Sequence, residues 1–158
     1  METIIRPIRP AELPLLEDFL YLSIFVPEGE TPPPRSILQK PELRVYLEGF
    51  GEGVADRCLV ADVGGRVVGA AWARIMDDYG HVDDDTPSLA ISLLPEWRGR
   101  GIGTALLARL LEELKAAGWP RTSLSAQKAN AATRLYFRLG FRVVEDKGEE
   151  YIMVREDG

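Results

Sequence analysis

Hydrophobic positions at the start of the chain follow first the spacing of a strand and then that of a helix. The stretch "TIIRPIR" (3–9) predicts a β-strand, which Pro10 ends. Residues 11–22 carry an apolar stripe at i, i+3, i+6 and i+7, which is typical of one face of a helix. The stripe consists of Leu13, Leu16, Phe19 and Leu20.

A proline-rich segment interrupts this pattern. The stretch "VPEGETPPPRS" (26–36) contains three consecutive prolines, whose fixed φ angles predict an extended loop. A short helix is expected to follow from Pro41 to about Gly49, because proline is well suited to the first helical position.

The clearest strand signal lies in residues 57–75. Two runs of β-branched and apolar residues flank Gly64-Gly65 there, and a glycine pair between such runs predicts a β-hairpin. A polar stretch, residues 76–88, leads from the hairpin to "LAISLL" (89–94). That apolar run predicts another strand, which Pro95 ends.

The most regular amphipathic pattern lies between residues 101 and 117, and it predicts a helix that ends at Gly118. Its apolar face carries Ile102, Leu106, Leu107, Leu110, Leu111 and Leu114, and its opposite face carries Arg109, Glu112, Glu113 and Lys115. Residues 121–127 then alternate between apolar and polar side chains, as a strand does.

The end of the chain predicts a second helix and a second hairpin. Residues 130–140 form the helix, with Asn130 as its N-cap and Gly140 as its C-terminal stop. Residues 141–156 form the hairpin, turning near Lys147-Gly148. Because a helix lies between strands, we expect at least one parallel strand pair in a mixed α/β fold. The length of 158 residues predicts a single domain, residues 1–158.

Composition and charge exclude several classes of function. The net charge of −6 disfavours nucleic-acid binding, which needs clustered lysine and arginine. No apolar run approaches the roughly 20 residues of a membrane helix. A single cysteine, Cys58, and a single histidine, His81, make a disulfide and a zinc site unexpected. A cytoplasmic protein without a metal, a nucleic-acid partner or a membrane partner is therefore expected.

Three glycines and two arginines crowd into "RGRGIG" (98–103), at the start of the regular helix. A dinucleotide fingerprint would need a glycine at Thr104 or Leu106, and a Walker loop would need a lysine after Gly103, so both interpretations fail. A plain turn between strand and helix stays open. The alternative is an anion site, because a helix N-terminus has unpaired N–H groups that glycines leave unobstructed.

Two sequence blocks resemble the GNAT superfamily of N-acetyltransferases. Arg98-x-x-Gly101-x-Gly103 is similar to the family's R/Q-x-x-G-x-G/A signature. "NAATRLYFRLGF" (130–141) is similar to its N-x-x-A-x-x-[LF]-Y-x-x-x-G-F element, with Thr133 where alanine is commonest. The resemblance covers nearly the whole chain. It implies a central, mostly antiparallel sheet with helices on both faces.

The resemblance also implies a site for acetyl-CoA as co-substrate. In this family the glycine-rich turn binds the pyrophosphate of the cofactor, while the preceding strand and the asparagine of the second block contact its pantetheine arm. The matching residues are Ile91, Leu93, Arg98, Gly99, Arg100, Gly101, Gly103, Thr104 and Asn130. A backbone N–H near Leu93 would bind the thioester oxygen, and Tyr136 occupies the position of the general acid. Packing on the inner face of its helix is the alternative role for Tyr136.

The general base and the acceptor do not follow from the sequence. Candidates for the base are His81, Asp83, Asp84, Asp85 and Glu96. The family commonly forms one wall of its acceptor site from the segment between the first two helices, which here brings Phe25, Glu28 and Glu30. Acidic groups there would suit a cationic amine.

These observations predict transfer of an acetyl group from acetyl-CoA to a primary amine, with a small molecule as the expected acceptor. A protein N-terminal or lysine acetyltransferase and a non-catalytic CoA-binding module are the alternatives. A phosphotransferase that uses the same anion site is disfavoured, because no nucleophile or metal-binding carboxylate pattern precedes the helix. The edge of the C-terminal hairpin could pair two copies in a homodimer.

Overall fold

The computed structural model describes residues 2–157, which form one seven-stranded sheet flanked by helices. The strands are β1 (Thr3–Pro7), β2 (Arg57–Val63), β3 (Arg66–Arg74), β4 (Ser88–Leu93), β5 (Arg121–Gln127), β6 (Arg142–Asp146) and β7 (Glu150–Glu156). The helices are α1 (Leu15–Ser23), α2 (Pro41–Arg44), α3 (Ile102–Ala116) and α4 (Thr133–Arg138). No helix within the described range is long and apolar enough to cross a membrane.

The strand order is β1-β2-β3-β4-β5-β7-β6, and every neighbouring pair is antiparallel except β4 and β5. The expected hairpins and the expected parallel pair are therefore confirmed. The parallel pair has one register position, Ser88 opposite Ser123, whereas β5 and β7 pair over their full lengths. Beyond Ser88 the two central strands are no longer bonded to each other, and the sheet is open at its middle.

Two apolar cores cover the two faces of the sheet. On one face α3 buries Leu106, Leu110 and Leu114 against the strands. On the other face α1 buries Leu16 and Leu20 against a cluster around Trp72. Helices therefore lie on both faces of a mostly antiparallel sheet, as expected, because each strand alternates its side chains between them.

Three predicted helix boundaries are wrong. The first helix begins at Leu15 instead of residue 11, after a short 3-10 turn (Pro10–Glu12). The helix that starts at Pro41 ends at Arg44. The last helix begins at Thr133, because Asn130 Oδ1 accepts a hydrogen bond from the Ala132 N–H at 2.9 Å instead of capping a helix that starts beside it.

The irregular segment before β2 is held in place by β3. Arg74 donates to the carbonyl oxygens of Val45 at 3.2 Å and Glu48 at 2.8 Å, and it pairs with Asp56 at 3.2 Å. Trp72 Nε1 donates to the Tyr46 carbonyl oxygen at 3.3 Å. These bonds fix the backbone around Tyr46 although it has no regular secondary structure.

A network at the edge of the sheet gives a prediction for acid stability. Arg6 lies 2.7 Å from Glu12 Oε2 and 3.2 Å from Asp62 Oδ2, and its hydrogen bond lowers the pKa of Glu12 to about 2. Because this value lies below the ordinary 4.5, the carboxylate stabilises the fold above that pH and loses the effect as the pH falls towards 2. We expect Glu12→Gln to lower the free energy of unfolding at neutral pH by about 1 kcal/mol.

Urea denaturation at several pH values measures this difference, which should narrow below pH 4.5. Glu17→Gln is the matched control, because Glu17 is exposed on the outer side of α1. An equal loss of stability in both variants, or a loss independent of pH, would contradict the assignment.

Candidate functional site

Two backbone N–H groups of β4 lack a partner strand and point into the opening of the sheet. The Leu94 N–H donates to the Val68 carbonyl oxygen at 2.8 Å, and the same register pairs Ser92 with Ala70. In an antiparallel pair alternate residues bond to the partner strand, so the N–H groups of Ile91 and Leu93 point away from β3. They face the gap where β5 no longer pairs with β4.

The glycine-rich turn at the end of β4 leads directly into α3. Gly99 and Gly101 have φ angles of 74° and 82°, in the left-handed region that favours glycine, and no atom lies within 4 Å of the position a Cβ would take at either. The first intrahelical bond runs from the Ala105 N–H to the Gly101 carbonyl oxygen at 3.2 Å. The N–H groups that precede it, and have no acceptor within the helix, are those of Ile102, Gly103 and Thr104.

Positive charge adjoins this bare helix N-terminus. Arg98 and Arg100 are exposed, and neither forms an ion pair within residues 2–157. The guanidinium of Arg100 lies 4.7 Å from the centroid of the Trp97 ring, which directly precedes this turn. The turn, the helix dipole and the two guanidinium groups together form a surface suited to a phosphate group.

Gly103 connects this turn to the opening of the sheet. A Cβ added there would lie 3.7 Å from Leu93 Cδ1, 3.9 Å from Leu135 Cδ2 and 4.0 Å from Ile91 Cδ1. The two sequence blocks and the strand β4 therefore meet at one place. Because Leu135 precedes Tyr136 in α4, the same contact brings the helix of the second block to the gap.

Tyr136 lies on the inner face of α4 with 9% of its surface exposed. Burial raises the pKa of its phenol to about 12, so the phenol keeps its proton at neutral pH. Its ring meets the Phe141 ring edge to face, with centroids 6.0 Å apart. Gly140 ends the helix at φ 93°, and the Phe141 N–H donates to the Tyr136 carbonyl oxygen at 3.0 Å, which confirms the predicted stop.

Three candidates for the general base lie in the loop before β4, and their surroundings differ. Asp83 accepts a hydrogen bond from the Thr86 hydroxyl at 2.8 Å and pairs with Arg121, and these contacts lower its pKa. Asp84 and Asp85 are exposed. Asp83 is therefore a structural ion-pair partner and a poor proton acceptor.

The remaining candidates have partners at the surface. His81 Nε2 lies 3.5 Å from Asp84 Oδ1, and Glu96 lies 3.6 Å from Arg66. Phe25 is half-buried, while Glu28 and Glu30 are exposed. The acceptor wall built from the segment that contains them stays a prediction.

Sequence reasoning missed two residues near the gap, Tyr46 and Asp78. Tyr46 is buried, and both carboxylate oxygens of Asp78 are buried although Asp78 belongs to the polar stretch 76–88. No local signal separates Asp78 from its exposed neighbour Asp77. Within the described residues no group of three or more His, Cys, Asp or Glu side chains is arranged to hold a metal ion.

Comparison with known proteins agrees with this geometry. An 85-residue match, 33% identical, relates the chain to a mycothiol acetyltransferase of Thermobifida fusca and covers 51% of this chain. The match spans about a quarter of that relative, 26% of its length.

Solved structures share the fold over nearly the whole chain. A GNAT-family acetyltransferase from Streptococcus pneumoniae superimposes with a TM-score of 0.72 at 21% identity, covering 99% of this chain and 100% of that one. The PaiA N-acetyltransferase of Thermoplasma acidophilum, solved with coenzyme A, gives a TM-score of 0.71 at 18% identity, covering 99% of each chain.

The family itself is shown by sequence. Residues 23–141, which include the opening of the sheet, the glycine-rich turn and α4, match the model of the acetyltransferase (GNAT) family. The chain therefore belongs to the acetyltransferase (GNAT) family.

Proposed function

We propose that the chain is an N-acetyltransferase that transfers the acetyl group of acetyl-CoA to a primary amine. The observation that carries the proposal is the pair of outward N–H groups of Ile91 and Leu93, which open beside a bare, positively charged helix N-terminus. One site can thus hold an anionic cofactor and receive an acyl arm. The amine attacks the thioester directly, without an acyl-enzyme step.

The cofactor phosphates would lie on the N–H groups at the start of α3. Gly99, Gly101 and Gly103 leave that backbone accessible, while Arg98 and Arg100 supply charge. The hydroxyl of Thr104, in the first turn of the helix, adds one further donor at this end. The pantetheine arm would then follow β4 and bond to the backbone of Ile91 and Leu93.

Asn130 supports the same arrangement from the second block. Its Oδ1 is engaged by the Ala132 N–H, while its side-chain amide N–H groups have no partner within residues 2–157. An amide donor at this position can bond to a carbonyl of the pantetheine arm. Asn130 thus orders the turn before α4 and binds the cofactor with the other end of its side chain.

Two groups of the chain would act on the thioester itself. The Leu93 N–H donates to the thioester oxygen as negative charge develops there. In comparable sites such a donor stabilises the transition state by about 3 kcal/mol. Tyr136 donates its proton to the departing thiolate. A phenol with a pKa of about 12 stays protonated at neutral pH and is ready to donate.

We propose a small-molecule amine as the acceptor, with a protein N-terminus or lysine side chain as the alternative. A panel of propylamine, putrescine, a lysine-containing peptide and a peptide with a free N-terminus separates these classes by release of free thiol from acetyl-CoA. Turnover confined to the peptides would replace the small-molecule assignment by the protein one. We further propose that residues 1–158 form a single catalytic domain and that the exposed edge strand β6 pairs two copies.

Calorimetric titration with acetyl-CoA tests the proposal most directly. We expect micromolar binding of acetyl-CoA, and much weaker binding of adenosine diphosphate and NADH, which lack the pantetheine arm that bonds to β4. Equal affinity for adenosine diphosphate would reduce the site to a general anion site. Absence of acetyl-CoA binding by the folded protein would remove the proposed function and leave the fold intact.

A further inference from the structure

Asp78 is a buried carboxylate that the fold leaves without a partner. Neither of its carboxylate oxygens is accessible to solvent or has a hydrogen-bond partner among residues 2–157. Arg74, which lies opposite Ser88 on β3, directs its guanidinium to Asp56 and to loop carbonyl groups. A buried carboxylate without a cation costs stability, so its presence calls for another explanation.

The hydroxyl groups of Ser88 and Tyr46 are the side-chain donors next to this carboxylate, although neither meets the geometry of a hydrogen bond to it in this conformation. Burial raises the pKa of Asp78, and the two hydroxyls lower it by less, so the carboxyl accepts a proton more readily than an ordinary aspartate. Burial and the charge of Asp78 also raise the pKa of the Tyr46 phenol far above its usual range. The pair therefore holds a phenol proton beside a basic carboxylate.

Apart from Arg74, which is paired with Asp56, the charged groups that raise the pKa values of the tyrosines here are acidic. The negative charge of Glu150, at the start of β7, raises the pKa of both Tyr46 and Tyr79. The charge of Glu42 in α2 also raises the pKa of Tyr79. His81 donates its main-chain N–H to the Asp78 carbonyl oxygen at 3.2 Å, but its side chain pairs with Asp84. This negative surface attracts an ammonium group.

The position of the pair relates it to the opening of the sheet. Ser88 and Ser123 form the one register position at which β4 pairs with β5. Ser123 Oγ donates to the Gly80 carbonyl oxygen at 2.7 Å, so the segment that carries Asp78 lies at the closed end of the gap. Tyr46 packs in the apolar cluster on the α1 face, opposite α3. Because the proposed cofactor site occupies the α3 face, an acceptor reaches the thioester from the face where Tyr46 lies.

We propose that Asp78, acting through the Tyr46 hydroxyl, takes the proton that the acceptor ammonium must lose before it attacks. The inference rests on the proposed function. The ammonium gives one proton to the Tyr46 oxygen while the Tyr46 proton passes to Asp78, and the freed lone pair forms the C–N bond. The C–S bond breaks, Tyr136 protonates the thiolate, and the second nitrogen proton returns through water to the Tyr136 oxygen. Asp78 then returns its proton to the Tyr46 oxygen, and the Tyr46 hydroxyl releases one proton to solvent.

Asp78→Asn tests the proposal first through stability. Because the folded-state pKa of Asp78 lies above its ordinary 3.8, the wild-type protein should lose stability relative to the variant as the pH rises above that value. Urea denaturation at neutral pH is therefore expected to find Asp78→Asn at least as stable as wild type. Asp77→Asn, the control, changes an exposed carboxylate one residue away and should leave stability unchanged at every pH.

The second measurement is turnover with the accepted amine of the panel above, at saturating substrates. We expect Asp78→Asn to lower kcat by about 100-fold and to remove the acidic limb of the kcat–pH profile. The acetyl-CoA dissociation constant should not change. Tyr46→Phe should lower kcat to a similar extent, and the double variant should be no slower than either single one, because both residues serve one proton path.

Five results would overturn the inference, and four of them come from the variants. They are wild-type kcat in Asp78→Asn, an unchanged acidic limb, a marked loss of stability in that variant, and independent losses of kcat that multiply in the double variant. Binding of acetyl-CoA without turnover of any alkylamine in the panel would also overturn it. Failure of acetyl-CoA to bind the wild-type protein is distinguishable from all of these, because it refutes the proposed function itself.

Discussion

Replacing Gly101 by valine is expected to weaken acetyl-CoA binding by about 1000-fold. Gly101 has a φ angle of 82° and no atom within 4 Å of its Cβ position, so the new side chain enters the space where the phosphates are proposed to lie. Loss of two charge-assisted hydrogen bonds at about 2 kcal/mol each accounts for this factor. The left-handed backbone also costs about 1–3 kcal/mol of stability. Calorimetry measures the affinity, and urea denaturation measures the stability.

Gly118→Val is the matched control for this strain. Gly118 has a φ angle of 95°, equally open surroundings, and a place at the opposite end of α3. The control should lose similar stability while it keeps its affinity for acetyl-CoA. Equal loss of affinity in both variants would mean that strain in α3 causes the effect, and the phosphate site would have to lie elsewhere.

Replacing Tyr136 by phenylalanine is expected to lower kcat by about 1000-fold with no change in the acetyl-CoA dissociation constant. The substitution removes one oxygen and keeps the ring that packs on Phe141. Without the phenol, the thiolate must leave unprotonated or take its proton from water. Single-turnover release of free thiol measures the chemical step, and calorimetry measures binding.

Tyr151→Phe controls for loss of a phenol in general. Tyr151 lies on β7, where its ring contacts Phe137 and Lys128. We expect this variant to keep both turnover and binding. Normal turnover in Tyr136→Phe would leave Tyr136 with a packing role alone, and a wild-type protein that binds acetyl-CoA but never turns over would favour the non-catalytic module.

The Tyr136 and Asp78 variants act at opposite ends of the same proposed reaction. Tyr136 supplies a proton to the leaving thiolate from the α4 side, while Tyr46 and Asp78 remove one from the amine on the α1 side. A slow proton donation should respond to the basicity of the leaving thiol, and a slow proton removal to the basicity of the amine. Comparison of several amines in both variants therefore separates the two roles.

The sequence by itself determined the strands, the helices and the glycine-rich turn. The hairpin around Gly64-Gly65, the helix α3 and the stop at Gly140 follow from short-range rules of periodicity and backbone freedom, and the structure confirms them. The predicted start of α4 was wrong because a side chain there competes with the helix for backbone hydrogen bonds. Asn130 accepts the Ala132 N–H before the helix begins. The two blocks that indicated the family are also local, because each lies in one turn and one helix.

Only the tertiary structure decided where these local features meet. The split between β4 and β5 depends on a register between strands that are distant in sequence, so no pattern within either strand reveals the outward N–H groups of Ile91 and Leu93. The sequence does not distinguish Asp77 from Asp78. Asp77 is nevertheless exposed, whereas the carboxylate of Asp78 is buried next to Tyr46 and Ser88. Burial is set by packing between remote segments, and burial is what changes an ordinary carboxylate into a candidate proton acceptor.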